Sequence, residues 1–180
     1  MGAENLAARE PRGQDELYEA AVSQFGNSLV RLGRGYEADA EKRRDLSQEI
    51  HFQVWRSLAV FDERCSLRTW VFRVAHNTAA SHVGKERRAS QRLIGLEELD
   101  LPCADPDQER QAGLGLQLEM LERLIWQLRP LDRQVILCYL EEMDARAIGE
   151  ITGLSPANVA MKVYRIKKAL GEKFEDERHG

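Results

Sequence analysis

Cysteine is scarce in this chain. Cys65, Cys103 and Cys138 are an odd number without a CxxC pair, which argues against a disulfide framework and against a cysteine zinc site. The three thiols are expected to be inert, packed groups. Histidine is equally sparse. His51, His76, His82 and His179 lack metal-ligand spacing, and the step from 76 to 82 puts no pair on one helix face. HExxH, a glycine-rich phosphate loop and GxSxG are all missing, so the usual protease, nucleotide and hydrolase chemistries have no carrier. An enzyme is disfavoured, and no metal or cofactor is expected. No apolar run is long enough for a signal peptide or a membrane span, which predicts a cytoplasmic chain without membrane insertion. Alternation of the β type, internal repeats and low-complexity tracts are lacking too.

What is present is charge, and it is segregated. Apolar residues are 43% of the 180, enough for a packed core; charged residues are 31% and the net charge is −4. An acidic total argues against indiscriminate nucleic-acid coating but leaves room for local basic patches. Residues 68–92 hold six basic side chains against Glu86, residues 93–111 hold six acids against Arg110, and residues 156–170 hold four basic residues and no acid. Two basic segments therefore flank an acidic one.

Apolar periodicity is helical almost throughout. Leu17, Ala20, Ala21, Phe25 and Leu29 share one face of a first helix. A second starts at Asp39 or Ala40 and reaches Leu58. A third runs from Cys65-Ser66 to about Lys85, with Leu67, Val71, Val74 and Thr78 on its buried side. Residues 93–105 contain Gly95, Pro102 and a run of acids, and read as a linker. Asp105, Pro106 and Gln108 then mark a helix start, with Leu114, Leu118, Leu121, Ile125 and Leu128 as its stripe. Arg129-Pro130 ends it, and Val135 to Leu140 belongs to a fifth helix. The expected fold is all-α: two small helical domains, at 15–92 and 106–174, joined by an acidic linker and flanked by tails at 1–14 and 175–180.

Residues 144–170 carry the most information. Asp144 to Ile151 is a short amphipathic helix, Gly153 makes a tight turn, and a second helix follows. Ser155 suits its N-cap and Pro156 its first position. Val159, Val163, Ile166 and Leu170 form its apolar stripe. Asn158, Lys162 and Arg165 recur on another face, with Lys167 and Lys168 nearby. A helix that buries one side and offers amide and cationic groups on another suits a DNA major groove.

The first half holds two further segments. Leu46, Ile50, Val54 and Leu58 should face the core, while Asp45, Glu49, Phe52 and Trp55 lie beyond that stripe and suit either a partner surface or a helix buried on two faces. The loop from Phe61 feeds a helix that combines Trp70, Arg73, His76 and Asn77. Aromatic, cationic and amide groups in that mixture suit a single DNA strand. Core packing is the plainer expectation for Trp70 and for Phe72 taken singly.

Read together, Asp45-Leu46-x-Gln48-Glu49 with Trp55, then Trp70-Val-Phe-Arg73-Val-Ala-His-Asn77, then Leu128 to Leu170, resemble a bacterial RNA polymerase sigma factor of the extracytoplasmic-function (ECF) type, in the sigma-70 family. The match covers nearly all of residues 15–172 in the family's order. The resemblance implies that Asp45, Gln48, Glu49, Phe52 and Trp55 dock on the clamp coiled coil of the largest subunit of core RNA polymerase. It implies that the loop with Phe61, Asp62, Arg64 and Ser66 captures a flipped base of the −10 element. Arg73, Asn77, Lys85 and Arg88 would touch the melted strand or its backbone. Asn158, Lys162, Arg165 and Lys168 would read the −35 duplex, and the flap of the second-largest subunit would hold the C-terminal domain. An anti-sigma factor is a common partner in the family, although no residue here identifies one.

The chain departs from the family pattern at several positions. Ser81 stands where Asp is usual, Gly84 where Arg is frequent, and Ile50-His51-Phe52 displaces an aromatic. Ala160 replaces a basic residue and Ile166 an alanine. A stand-alone helix-turn-helix regulator is the rival reading. It explains residues 144–170 and leaves 45–88 without a task.

Overall fold

The computed structural model describes residues 13–93 and 114–179, with side chains described for 13–85 and 115–176. The acidic linker, the expected helix start at Asp105, Cys103 and the Arg88 side chain lie outside the described residues. Within them the chain forms α1 (Gln14–Tyr36), α2 (Ala40–Leu58), α3 (Leu67–Leu93), α4 (Leu114–Trp126), α5 (Pro130–Leu140), α6 (Ala145–Thr152) and α7 (Pro156–His179).

The start of α2 is set locally. Asp39 accepts hydrogen bonds from the amides of Glu41 and Lys42, both at 2.9 Å, which satisfies two otherwise unpaired donors. Leu46, Ile50, Val54 and Leu58 are all buried, as their spacing predicts. They meet Leu17, Ala21, Leu29 and Leu32 of α1 and Val71, Phe72, Ala75 and Ala79 of α3.

The expected buried side of α3 needs correction. Val71 is buried, but Leu67, Val74 and Thr78 are only half-buried. Phe72, Ala75, His76 and Ala79 are buried instead. The reason is that α3 packs on α1 and α2 and also on α5 and α6. Two-sided packing widens the buried arc and turns it past the single stripe that periodicity marks. The stripe on α4 shifts too. Leu118 is 60% exposed, whereas Met120, Leu124 and Ile125 are buried. That face of α4 lies toward α1 and α7.

The two halves also pack directly on each other. An added Cβ at Gly35 would stand 2.6 Å from a methyl of Leu137, so α1 and α5 approach closely there and a larger residue would require the Leu137 side chain to shift. Among the described residues no helix is long and apolar enough to cross a membrane.

Candidate nucleic-acid interface

The helix-turn-helix is built from caps. Asp144 accepts the Ala147 amide at 2.7 Å and starts α6. Gly153 ends it in the left-handed region at φ 76°, donating to the Gly149 carbonyl. That conformation favours glycine because a Cβ would crowd the following carbonyl. Ser155 accepts the Asn158 amide at 3.3 Å, and Pro156 occupies the first position of α7.

Val159, Val163, Ile166 and Leu170 turn inward, as expected. The opposite face bears Asn158, Arg165 and Lys168, all exposed. Between them stand Met161 at 54% and Tyr164 at 70% exposure. The spacing of polar and basic residues marks neither of them. Their signal was apolar side chains off the buried stripe, at three and six residues beyond Asn158. Lys162 is placed differently from Asn158 and Arg165. It is half-buried and its ammonium pairs with Asp132 of α5, which ties α7 to α5 and draws the charge away from the open face.

The loop before α3 is the second site. Glu63 takes a positive φ of 58°, and Asp62 pairs with Arg64 at 3.1 Å. Ser66 caps α3 by accepting the Thr69 amide at 3.0 Å. Phe61 packs on Trp70 with ring centroids 5.3 Å apart. Arg73 lies 4.9 Å over the Trp70 ring, and the indole N–H donates to Ser57 Oγ at 3.0 Å. Trp70 is thus covered by Phe61 and Arg73 and is a wall of the site. Asp62, Arg64 and Ser66 are exposed in the loop, and Asn77 and Lys85 are exposed further along α3.

His76 does not belong to this surface. It is fully buried, with Nδ1 3.0 Å from Tyr36 Oη and Nε2 3.1 Å from Cys138 Sγ. The expectation that it joins Trp70, Arg73 and Asn77 is therefore corrected. Two-sided packing of α3 explains it. Burial pushes the imidazole down to about 3 from its usual 6.5, against a weaker upward pull from the Glu141 charge. Burial likewise pushes the Cys138 thiol up to about 12, so it is held as an unreactive thiol.

The His76 depression has a consequence for stability. Below about pH 6.5 the unfolded chain takes up a proton that the folded chain refuses, so stability falls as pH drops. Between pH 7.5 and 5.5 the loss should be about 1.4 kcal/mol. Urea unfolding at the two pH values reads it, and His76→Gln, which does not titrate, should lack that part of the slope. An equal slope in both chains would show that His76 ionises freely when folded.

A third surface runs along α2. Asp45, Gln48 and Glu49 are exposed, followed by Phe52 at 51% and Trp55 at 37%. Trp55 is held by α1: its indole N–H donates to Asp15 at 2.8 Å, and Gln14 donates to its carbonyl at 2.8 Å. Arg56 covers one side of Phe52 at 5.8 Å. The result is an acidic and aromatic strip at steps of three and four residues, fixed in place before any partner arrives.

These three surfaces coincide with two family matches. The sigma-70 region 2 profile matches residues 21–89, and the sigma-70 region 4 profile matches residues 118–170. The chain belongs to the sigma-70 family, as an ECF-type sigma factor. It is similar to the RNA polymerase sigma-H factor of Pseudomonas aeruginosa, with 22% identity over 96% of this chain and 93% of that protein. It is similar to the ECF RNA polymerase sigma factor SigW of Bacillus subtilis, with 22% identity over 92% of each. RNA polymerase sigma factor YlaC of the same organism is 25% identical over 91% of this chain and 95% of its own.

Solved structures share the fold. CnrH in complex with the cytosolic domain of CnrY aligns with a TM-score of 0.66 at 19% identity, over 91% of this chain and 90% of that one. The sigma factor RpoE of Bartonella quintana, in complex with the anti-sigma factor NepR, aligns at 0.65 and 19%, over 86% and 94%. Helices α1 to α3 carry the region 2 match and α4 to α7 the region 4 match. The sigma factor's partners are core RNA polymerase and promoter DNA.

Proposed function

We propose that this sigma factor docks on core polymerase through the α2 strip, traps the melted −10 strand at the loop before α3, and reads the −35 duplex with the open face of α7. The observation that carries the reading is the two-faced α7. Its buried stripe anchors it while Asn158, Met161, Tyr164, Arg165 and Lys168 are exposed, Lys168 within 3.9 Å of Glu172 on the same helix. An amide and a guanidinium suit base edges, an apolar side chain suits a thymine methyl, and a terminal ammonium suits a phosphate. The flap of the second-largest subunit would hold this half on the enzyme.

In the −10 loop, Phe61 and Trp70 supply the wall, and Asp62, Arg64 and Ser66 supply polar groups at its rim. Arg73, Asn77, Lys85 and Arg88 follow the strand along α3. Trapping an unstacked base offsets the few kcal/mol needed to open a base step. The chain makes no bond itself: it supplies specificity to a polymerase that does, in the cytoplasm where transcription runs.

Run-off transcription tests the whole reading. Core polymerase plus this chain should start at discrete promoters on linear template with no other factor added, and a lack of promoter-dependent transcripts would overturn it. Within the −35 site the two basic residues should separate. Arg165→Ala should weaken binding to a −35 duplex about tenfold, roughly 1–3 kcal/mol for a good base contact. Lys162→Ala should leave duplex affinity within about twofold and lower stability by up to about 1 kcal/mol. Equal losses of duplex affinity would return Lys162 to the reading face.

A further inference from the structure

The two reading surfaces lie far closer together here than promoter binding allows. Elements centred at −35 and −10 are about 25 base pairs apart, roughly 85 Å of duplex at about 3.4 Å per pair. In the structure the −10 loop and the first helix of the helix-turn-helix line the same open cleft of about 440 Å³. Arg64 and Ser66 stand on one side, with Asp144 and Glu150 on the other. Asp144, which caps α6, and Glu150 within it thus border, together with Arg146, the place where a phosphate backbone would approach. This geometry cannot serve both elements at once.

The closed arrangement is held by a specific set of contacts. After α5 the chain turns through Glu141 and Glu142, with Glu142 at a positive φ of 58°. The Glu141 carboxylate receives both Nε and Nη2 of Arg31, at 2.6 and 2.8 Å. Its backbone carbonyl accepts from the guanidinium of Arg68. Arg31 belongs to α1 and Arg68 to α3, so one residue of the second half is gripped by two helices of the first. The Glu141 side chain is 11% exposed, and charge-assisted, two-pronged bonds of this kind are geometrically selective. Around it, Trp126 donates to the Arg34 carbonyl at 2.8 Å, and Cys138 meets His76 at 3.1 Å. Burying the acid beside Arg31 and Arg68 means that removing either partner leaves a poorly solvated charge.

We infer that the free sigma factor rests in this closed form, latched by Glu141 between Arg31 and Arg68, and that polymerase and promoter engage it only after the two halves part. The inference rests on the promoter-reading roles proposed above. Twenty residues separate Leu93 from Leu114, and a chain of that length reaches at most about 70 Å, so the covalent connection permits parting. While the latch holds, apparent affinity for core polymerase is lowered by the fraction of open chains.

Charge reversal and swap test this. In small-angle scattering of the free chain, Glu141→Arg should enlarge the radius of gyration beyond that of the parent, and its affinity for core polymerase should rise at least fivefold. Arg31→Glu, at a more exposed position, should do the same and serves if the first variant melts early. The swap Arg31→Glu with Glu141→Arg rebuilds the pair in reverse and should bring both readouts back toward the parent. Unchanged dimensions in both single variants would overturn the latch, and so would a swap no more compact than either. If no variant, nor the parent, binds polymerase at all, the sigma reading fails, while scattering still decides the latch.

Discussion

Gly149→Ala should destabilise the C-terminal half by about 3 kcal/mol, toward the upper end for overpacking, and should lower −35 duplex affinity at least tenfold. A Cβ built on Gly149 would stand 2.5 Å from the backbone oxygen of Leu154. That atom belongs to the turn between α6 and α7 and is no flexible side-chain tip, so the turn itself must move. Gly149 also accepts the Gly153 amide at 2.8 Å, so the displacement reaches the helix cap. α7 then leaves the orientation that Ile148, Ile151 and Val159 set by packing in the shared core. Gly153→Asn is the control: its position needs the left-handed conformation, which asparagine tolerates better than other side chains, and nothing lies within 4 Å of a Cβ there. It should cost well under half as much. Urea midpoints and duplex titrations measure both variants. A Gly149→Ala chain as stable as the parent would mean that α6 and the turn are free to separate.

Asp45→Arg combined with Glu49→Arg should abolish co-purification with core polymerase while leaving the fold intact. Both acids are exposed on α2, one turn apart, and neither touches the buried stripe of Leu46 and Ile50. Surface substitutions of this kind usually change stability by no more than about 0.5 kcal/mol. Docking is another matter. Reversing a rim charge opposes a complementary partner, and close charge pairs at interfaces couple by about 1.5–7 kcal/mol. Two reversals at about 2 kcal/mol each correspond to a loss of roughly a thousandfold. Gln53 donates to Glu49 at 2.6 Å, so that contact is lost as well, on the exposed side and at little cost. Unchanged association in a pull-down would move the docking surface away from this strip. Association lost together with a lowered melting temperature would point to misfolding.

Much of this site was legible in the chain. Ser155, Pro156 and Gly153 lie where their local chemistry predicts, because a cap or a left-handed turn is decided within three or four residues. The inward stripes of α2 and α7 were legible for a similar reason: each helix buries one face, and spacing alone marks that face. The failures share a cause. Leu118 fits a stripe but is exposed and Thr78 is only half-buried, while His76, expected on an open surface beside Trp70 and Arg73, is fully buried. Lys162 read as a free cation until Asp132, thirty positions earlier, took it up. Met161 and Tyr164 looked like unremarkable apolar residues until the stripe beside them was seen to be full.

By itself, then, the sequence determined the helices, their caps, the basic and acidic segments and the family. Each of these is written in neighbours a few positions apart. Only the tertiary structure decided which arc of α3 is buried, which cation on α7 is free, and that the two halves close on Glu141. Those outcomes depend on partners between 30 and 110 positions away along the chain, and no local period encodes the direction from which such a partner arrives.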